Sequence, residues 1–200
     1  MSTGFDLRLR STFTVEDLRA ATERVLAQIL PGLPAIALDV VPTVRDFIDH
    51  GPTAPRVAQT FLRNSYGESG ELGPGFVLMT PDAVAGVEIS ALDIGFPEDP
   101  EGGRSLFVDT SIDRTPVSLL LGAVVAIAAA QLTKSPVRDE QTLLTGIRIV
   151  EPDEAIDRLR TSARGVRHLR DIAIPALRGL GMTTPGWEDW YARTGHDSGV

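Results

Sequence analysis

Phe5, Leu7 and Leu9 alternate with Asp6, Arg8 and Arg10, and Phe13 resumes the phase. A period of two predicts a half-buried strand. The period then changes. Val15, Leu18, Ala21, Val25, Leu26 and Ile29 recur at helical spacing, behind a Thr14–Asp17 pair that resembles a capping box with Asp in place of Glu or Gln. Pro31, Gly32 and Pro34 end that helix, and Ile36, Leu38 and Val40 alternate again. The chain therefore opens strand–helix–strand.

The run from Val117 to Leu132 (VSLLLGAVVAIAAAQL) has no polar face at all. Thr115 is a suitable N-cap and Pro116 suits the first helical position, where its missing N–H leaves nothing unpaired. Gly122 lowers helix propensity but permits close backbone approach. Lys134 complements the negative helix pole, and Pro136 stops the helix. A membrane span needs about 20 apolar residues. Asp113 and Arg114 precede this shorter run, and Gln131 and Lys134 close it. It is read as the buried central helix of a water-soluble protein, covered by a sheet on one side and helices on the other.

Between these landmarks, Thr43 to Asp49 and Ala54 to Asn64 read as short helices, and Tyr66 to Gly75 (YGESGELGPG) as a loop. Phe76–Met79, Val87–Leu92 and Ser105–Val108 read as strands whose short connections favour antiparallel pairing. Val137 to Leu144 reads as an edge strand. Beyond it, Glu151, Asp153 and Glu154 surround Pro152 at a helix start, Gly165 breaks that helix, and Val166 to Leu180 forms another, distorted at Pro175. Trp187 and Tyr191, four apart, share a helical face near the end. The expected fold is α+β: an antiparallel or mixed sheet of about five or six strands on the central helix. Residues 1–150 form the core domain, and 151–200 a helical extension packed on it.

Composition narrows the function. Nineteen Lys and Arg stand against 27 acids, a net charge of −8. That balance argues against a generic nucleic-acid binder, which needs cationic surface to meet phosphates. It suits a basic partner. Cysteine is absent, which excludes disulfides and thiol chemistry and fits a reducing compartment. The N-terminal MSTGFDLRLR has no apolar signal core, so a cytoplasmic location is expected. Lys134 is the only lysine among many arginines, a GC-rich bacterial coding bias.

Candidate chemistry is sparse. His50, His168 and His196 have no metal-motif spacing, so no metal or other cofactor is expected. No G-x-S-x-G elbow is present, so no catalytic serine is assigned. Asp109, Asp113 and Arg114 bracket the start of the central helix and form an alternative polar site. Asp139 and Glu140 lie beyond its far end, about 25 Å away along the helix, so the two acid pairs are read as separate. The stretch Arg158 to Arg170 reads as the solvated face of two helices. Glu98, Asp99 and Glu101 crowd the loop Gly95 to Arg104, where they would steer a cationic target. Trp187, Trp190 and Tyr191 are types that anchor an interface or pin a terminal helix to its own core.

A strand ending in Asp109, a polar turn carrying Arg114, an Ala-rich helix and then VRDE at Val137 to Glu140 follow in order. This layout, from Leu106 to Leu144, resembles small bacterial immunity-type proteins that neutralise polymorphic toxins, and neighbouring uncharacterised families. It transfers no functional residue. It implies a cytoplasmic, non-catalytic α+β protein that occludes another protein, a basic toxin or an assembly partner. Two alternatives stand beside it: a small enzyme with a pocket near the loop at 66–75, and a homo-oligomeric structural subunit joined through the Trp-bearing tail.

Overall fold

A computed structural model describes residues 4–50, 57, 59–67, 75–80, 85–92, 105–110, 115–138 and 149–179. The chain opens with β1 (Gly4–Arg8), β2 (Phe13–Thr14) and α1 (Val15–Ile29), as the alternating and helical periods predict. Thr14 caps α1: its hydroxyl accepts from the Asp17 amide, and the Asp17 carboxylate accepts from the Thr14 amide. The next elements are β3 (Asp39–Val41), α2 (Val44–His50), α3 (Gln59–Leu62) and β4 (Ser65–Tyr66). The second predicted strand is thus shorter than its alternation. Residues 36–38 stay outside the ladder, and Leu38 instead gives its amide to Glu23 on α1. The helix expected over Ala54 to Asn64 is described only as α3.

Strands β5 (Phe76–Thr80), β6 (Ala85–Leu92) and β7 (Ser105–Asp109) pair antiparallel in succession. The central helix α4 (Pro116–Thr133) follows, then β8 (Val137–Arg138), β9 (Ile149–Val150), α5 (Pro152–Leu159) and α6 (Leu169–Gly179). The main sheet has seven strands in the order β3-β5-β6-β7-β1-β8-β9, and β2 pairs with β4 separately. Every pairing is antiparallel. The sheet is wider than the expected five or six strands because the two-residue β9 pairs outside β8. The segment from Val137 is therefore an interior strand as far as Arg138, and its remainder lies outside the described residues.

β1 lies between β7 and β8 and is antiparallel to both, so β7 and β8 run parallel to each other. Helix α4 is the crossover between them. Its 18 residues include 16 buried ones, down to the small side chains on every face. It packs against β1, β6, β7 and β8 on one side and against α1, α5 and α6 on the other. By length and composition it is one helix that could cross a membrane, but 89% of it is buried inside the fold. A helix with no polar face needs cover all round, and here the chain's own elements supply it. Its N-terminus is a reciprocal Thr115–Ser118 cap with Pro116 at the first helical position.

The helical region departs from the expected boundaries. Helix α5 ends at Leu159, well before Gly165, because the following residues turn to α1 for partners. Thr161 donates its amide to the Ile29 carbonyl and Ala163 to that of Pro31. Residues 160–168, most of the Arg158–Arg170 stretch, are therefore a tethered linker rather than a helix face.

Candidate functional site

Alternation gives the sheet two faces. Phe5, Leu7, Leu106, Val108, Val87, Ile89, Phe76, Leu78 and Val40 point into the main core under α4 and α1. The opposite face is divided. At the β3–β5 end, Val41, Val77 and Met79 form a second apolar cluster with Phe47 of α2. Gly86 makes room for that ring: a Cβ there would lie 2.9 Å from Phe47. Beyond Val77 the face turns polar. One row runs Gly4–Asp109–Glu88–Val77–Val41 across five strands. The next runs Ile149–Arg138–Asp6–Phe107–Ser90.

Glu88 stands at the boundary between the two halves. Val77 is its partner on one side and Asp109 on the other. Burial, and then the negative charge of Asp109, hold the Glu88 carboxyl above the ordinary carboxylate range. Opposed residues on neighbouring antiparallel strands place their Cβ atoms about 5 Å apart, and like charges there are destabilising. The Glu88 carboxylate also lies beside Gly75, with Oε1 at 3.8 Å from where a Cβ of that glycine would be. It thus flanks the end of the glycine-rich segment. A carboxyl held back from ionisation, with a second carboxyl on the neighbouring strand, is an arrangement suited to proton exchange, or to receiving a cation.

Of the polar site expected from sequence, Asp109 is found on this outer face, while Asp113 and Arg114 lie outside the described residues. Glu98, Asp99 and Glu101, in the β6–β7 connection, and Trp187, Trp190 and Tyr191 lie outside them too, as do Asp139 and Glu140. Asp109 is thus the one described residue of the two acid pairs that flank α4. The chain returns through residues 134–136, so that Arg138 stands opposite Asp6, one strand from β7. Sequence reasoning missed Glu88, although its polar position between Val87 and Ile89 was the available signal. Asp6, Arg8 and Arg138 share its face through strand alternation.

Tyr66, the first residue of the expected loop, is a core residue. It is fully buried, stacked near Phe13 and tilted against Phe76. Burial raises its hydroxyl well above the usual phenol range. Among the described residues, no three His, Asp or Glu side chains converge as a metal-ligand set.

A concavity lies at the C-terminal end of α4. It is a groove of about 490 Å³ lined by Gln131, Lys134, Ser135, Glu151 and Asp153 among others. Comparison with known protein families, characterised proteins and solved structures finds no match for this chain.

Proposed function

We propose that this chain is a non-catalytic, cytoplasmic protein that binds and occludes a basic partner protein, in the manner of the toxin-neutralising proteins its layout resembles. The observation carrying this reading is the Glu88–Asp109 opposition on the polar half of the outer sheet face. Directly opposed like charges on neighbouring strands repel. An arginine or lysine brought by a partner would offset that repulsion. The net charge of −8 would add long-range attraction for the same partner.

The test pairs the chain with the protein encoded by the gene beside its own. Binding is measured by calorimetry at low and high salt, and neutralisation by growth of cells expressing both. The reading expects salt-sensitive binding, growth rescue, and loss of both in a Glu88→Gln/Asp109→Asn variant. Rescue that survives the double substitution removes the proposed surface. Absence of both binding and rescue removes the proposed function.

One observation favours the alternative of a small enzyme: the raised Glu88 carboxyl beside Asp109, next to Gly75. Acid–base catalysis uses such pairs. Under that reading Asp109→Asn would abolish turnover of a small substrate while leaving partner affinity unchanged.

A further inference from the structure

The groove at the end of α4 has a feature that its volume alone does not explain. It is lined by the chain's only lysine together with Glu151 and Asp153. Opposite charges sharing one concavity ordinarily close into an ion pair. Here Lys134 forms none among the described residues, and neither do Glu151 and Asp153. Glu151, at the N-cap of α5, makes no side-chain capping bond either.

Lys134 is also held in an unfavourable backbone conformation. It is the one non-glycine residue with positive φ among the described residues, at φ 53° and ψ 44°. Left-handed backbone costs an ordinary side chain about 1–2 kcal/mol, and glycine is the usual residue there. The surrounding turn is fixed by several hydrogen bonds. Lys134 and Ser135 both donate their amides to the Ala130 carbonyl. The Thr133 hydroxyl donates to Ala129 and lies 2.7 Å from the Ser135 hydroxyl. Ser11, from a distant part of the chain, donates to the Leu132 carbonyl. A strained residue on an over-determined turn is a recurrent property of ligand clamps. The volume lies within the range of small-molecule sites.

We propose that this groove binds a small zwitterion, an organic molecule carrying a carboxylate at one end and an ammonium at the other. Lys134 receives the carboxylate. Glu151 and Asp153 receive the ammonium, and the exposed Gln131 amide offers a further donor and acceptor. A purely anionic ligand is disfavoured by the two carboxylates, and a purely cationic one by the lysine. Only a ligand with both charges satisfies all three groups. The site is at the opposite end of α4 from the Thr110–Thr115 connection and does not depend on the outer-face reading.

A single lysine makes the test direct, because carbon-13-labelled lysine yields one set of side-chain NMR signals from the whole protein. The probes are ε-aminocaproate, caproate and hexylamine, which share a chain but carry both charges, the negative one or the positive one. The expected result is a saturable shift of the Lys134 signals with ε-aminocaproate alone. Its affinity should fall about tenfold in the Glu151→Gln/Asp153→Asn variant, as loss of charged hydrogen-bond partners predicts. The proposal is overturned by an equal response to all three probes, by no saturable response to ε-aminocaproate, or by an unchanged affinity in the double variant. It is overturned as well if the double substitution alone moves the Lys134 signals as far as the probe does. In that case Lys134 is already engaged with the two carboxylates.

Discussion

Thr110 fills the space that a side chain at Gly122 would occupy. An ideal Cβ built on Gly122 falls well inside contact distance of the Thr110 γ-methyl, with the Phe5 ring 3.5 Å away. Both residues are buried. The glycine is therefore the notch in α4 that lets the chain leaving β7 pass against the helix.

This relationship sets two opposing effects against each other. Gly122→Ala gains about 1 kcal/mol of helix propensity. Overpacking a buried contact costs about 1–3 kcal/mol, and the branched Thr110 side chain is stiff. The net expectation is destabilisation by about 1 kcal/mol in chemical denaturation. Thr110→Ser removes the methyl and should recover most of that loss in a double-mutant cycle. Additive effects of the two substitutions would show that they do not meet.

Glu88→Gln should stabilise the fold at neutral pH by about 0.5 kcal/mol, the scale of a like-charge cross-strand pair. The pH dependence has a definite sign. The folded-state pKa of Glu88 is raised, so the folded chain holds this proton more firmly than the unfolded chain. Its contribution is fully present below the ordinary glutamate range and is lost as pH rises through the folded value. Denaturant midpoints across that interval should therefore lose part of their decline in the Gln variant. Parallel curves for the two proteins would count against the effect.

The cap of α1 should respond in the opposite sense. The Thr14 amide and hydroxyl hold the Asp17 carboxyl below its ordinary value. That contribution is present above the unfolded aspartate pKa and disappears as pH falls through the lower, folded one. Thr14→Ala should cost about 1 kcal/mol near neutrality, typical for an N-cap. The deficit should shrink in strong acid, where Asp17 is protonated in both states. A deficit that stays constant with pH would mean that Asp17 takes no part in the cap.

Lys134→Gly separates strain from binding. Relief of the left-handed conformation should raise stability by about 1 kcal/mol. Backbone amide shifts around Ser135 on adding ε-aminocaproate should vanish in the same variant. A more stable protein that responds to the probe unchanged would leave the lysine without a role in the groove.

Local signals carried much of the architecture. The Thr14–Asp17 and Thr115–Pro116 starts, the alternation in β1 and the uniform apolarity of α4 each reflect interactions within a few residues. Their physics is therefore complete in the sequence. The same holds for the antiparallel course of β5, β6 and β7, which follows from their short connections. The early end of α5 was not legible, because the Ile29 and Pro31 carbonyls that draw Thr161 and Ala163 away lie more than a hundred residues upstream. Nor was the insertion of β1 between β7 and β8, since no local pattern encodes strand order. That insertion places Asp109 two residues along β1 from the row of Asp6 and Arg138. The carboxylate opposition of Glu88 and Asp109, and the groove joining Lys134 to Glu151 and Asp153, belong to tertiary structure for the same reason. Periodicity tells which side of an element meets solvent. Only the packed chain decides which distant charges share that side, because their energy depends on separation in space and not on separation along the chain.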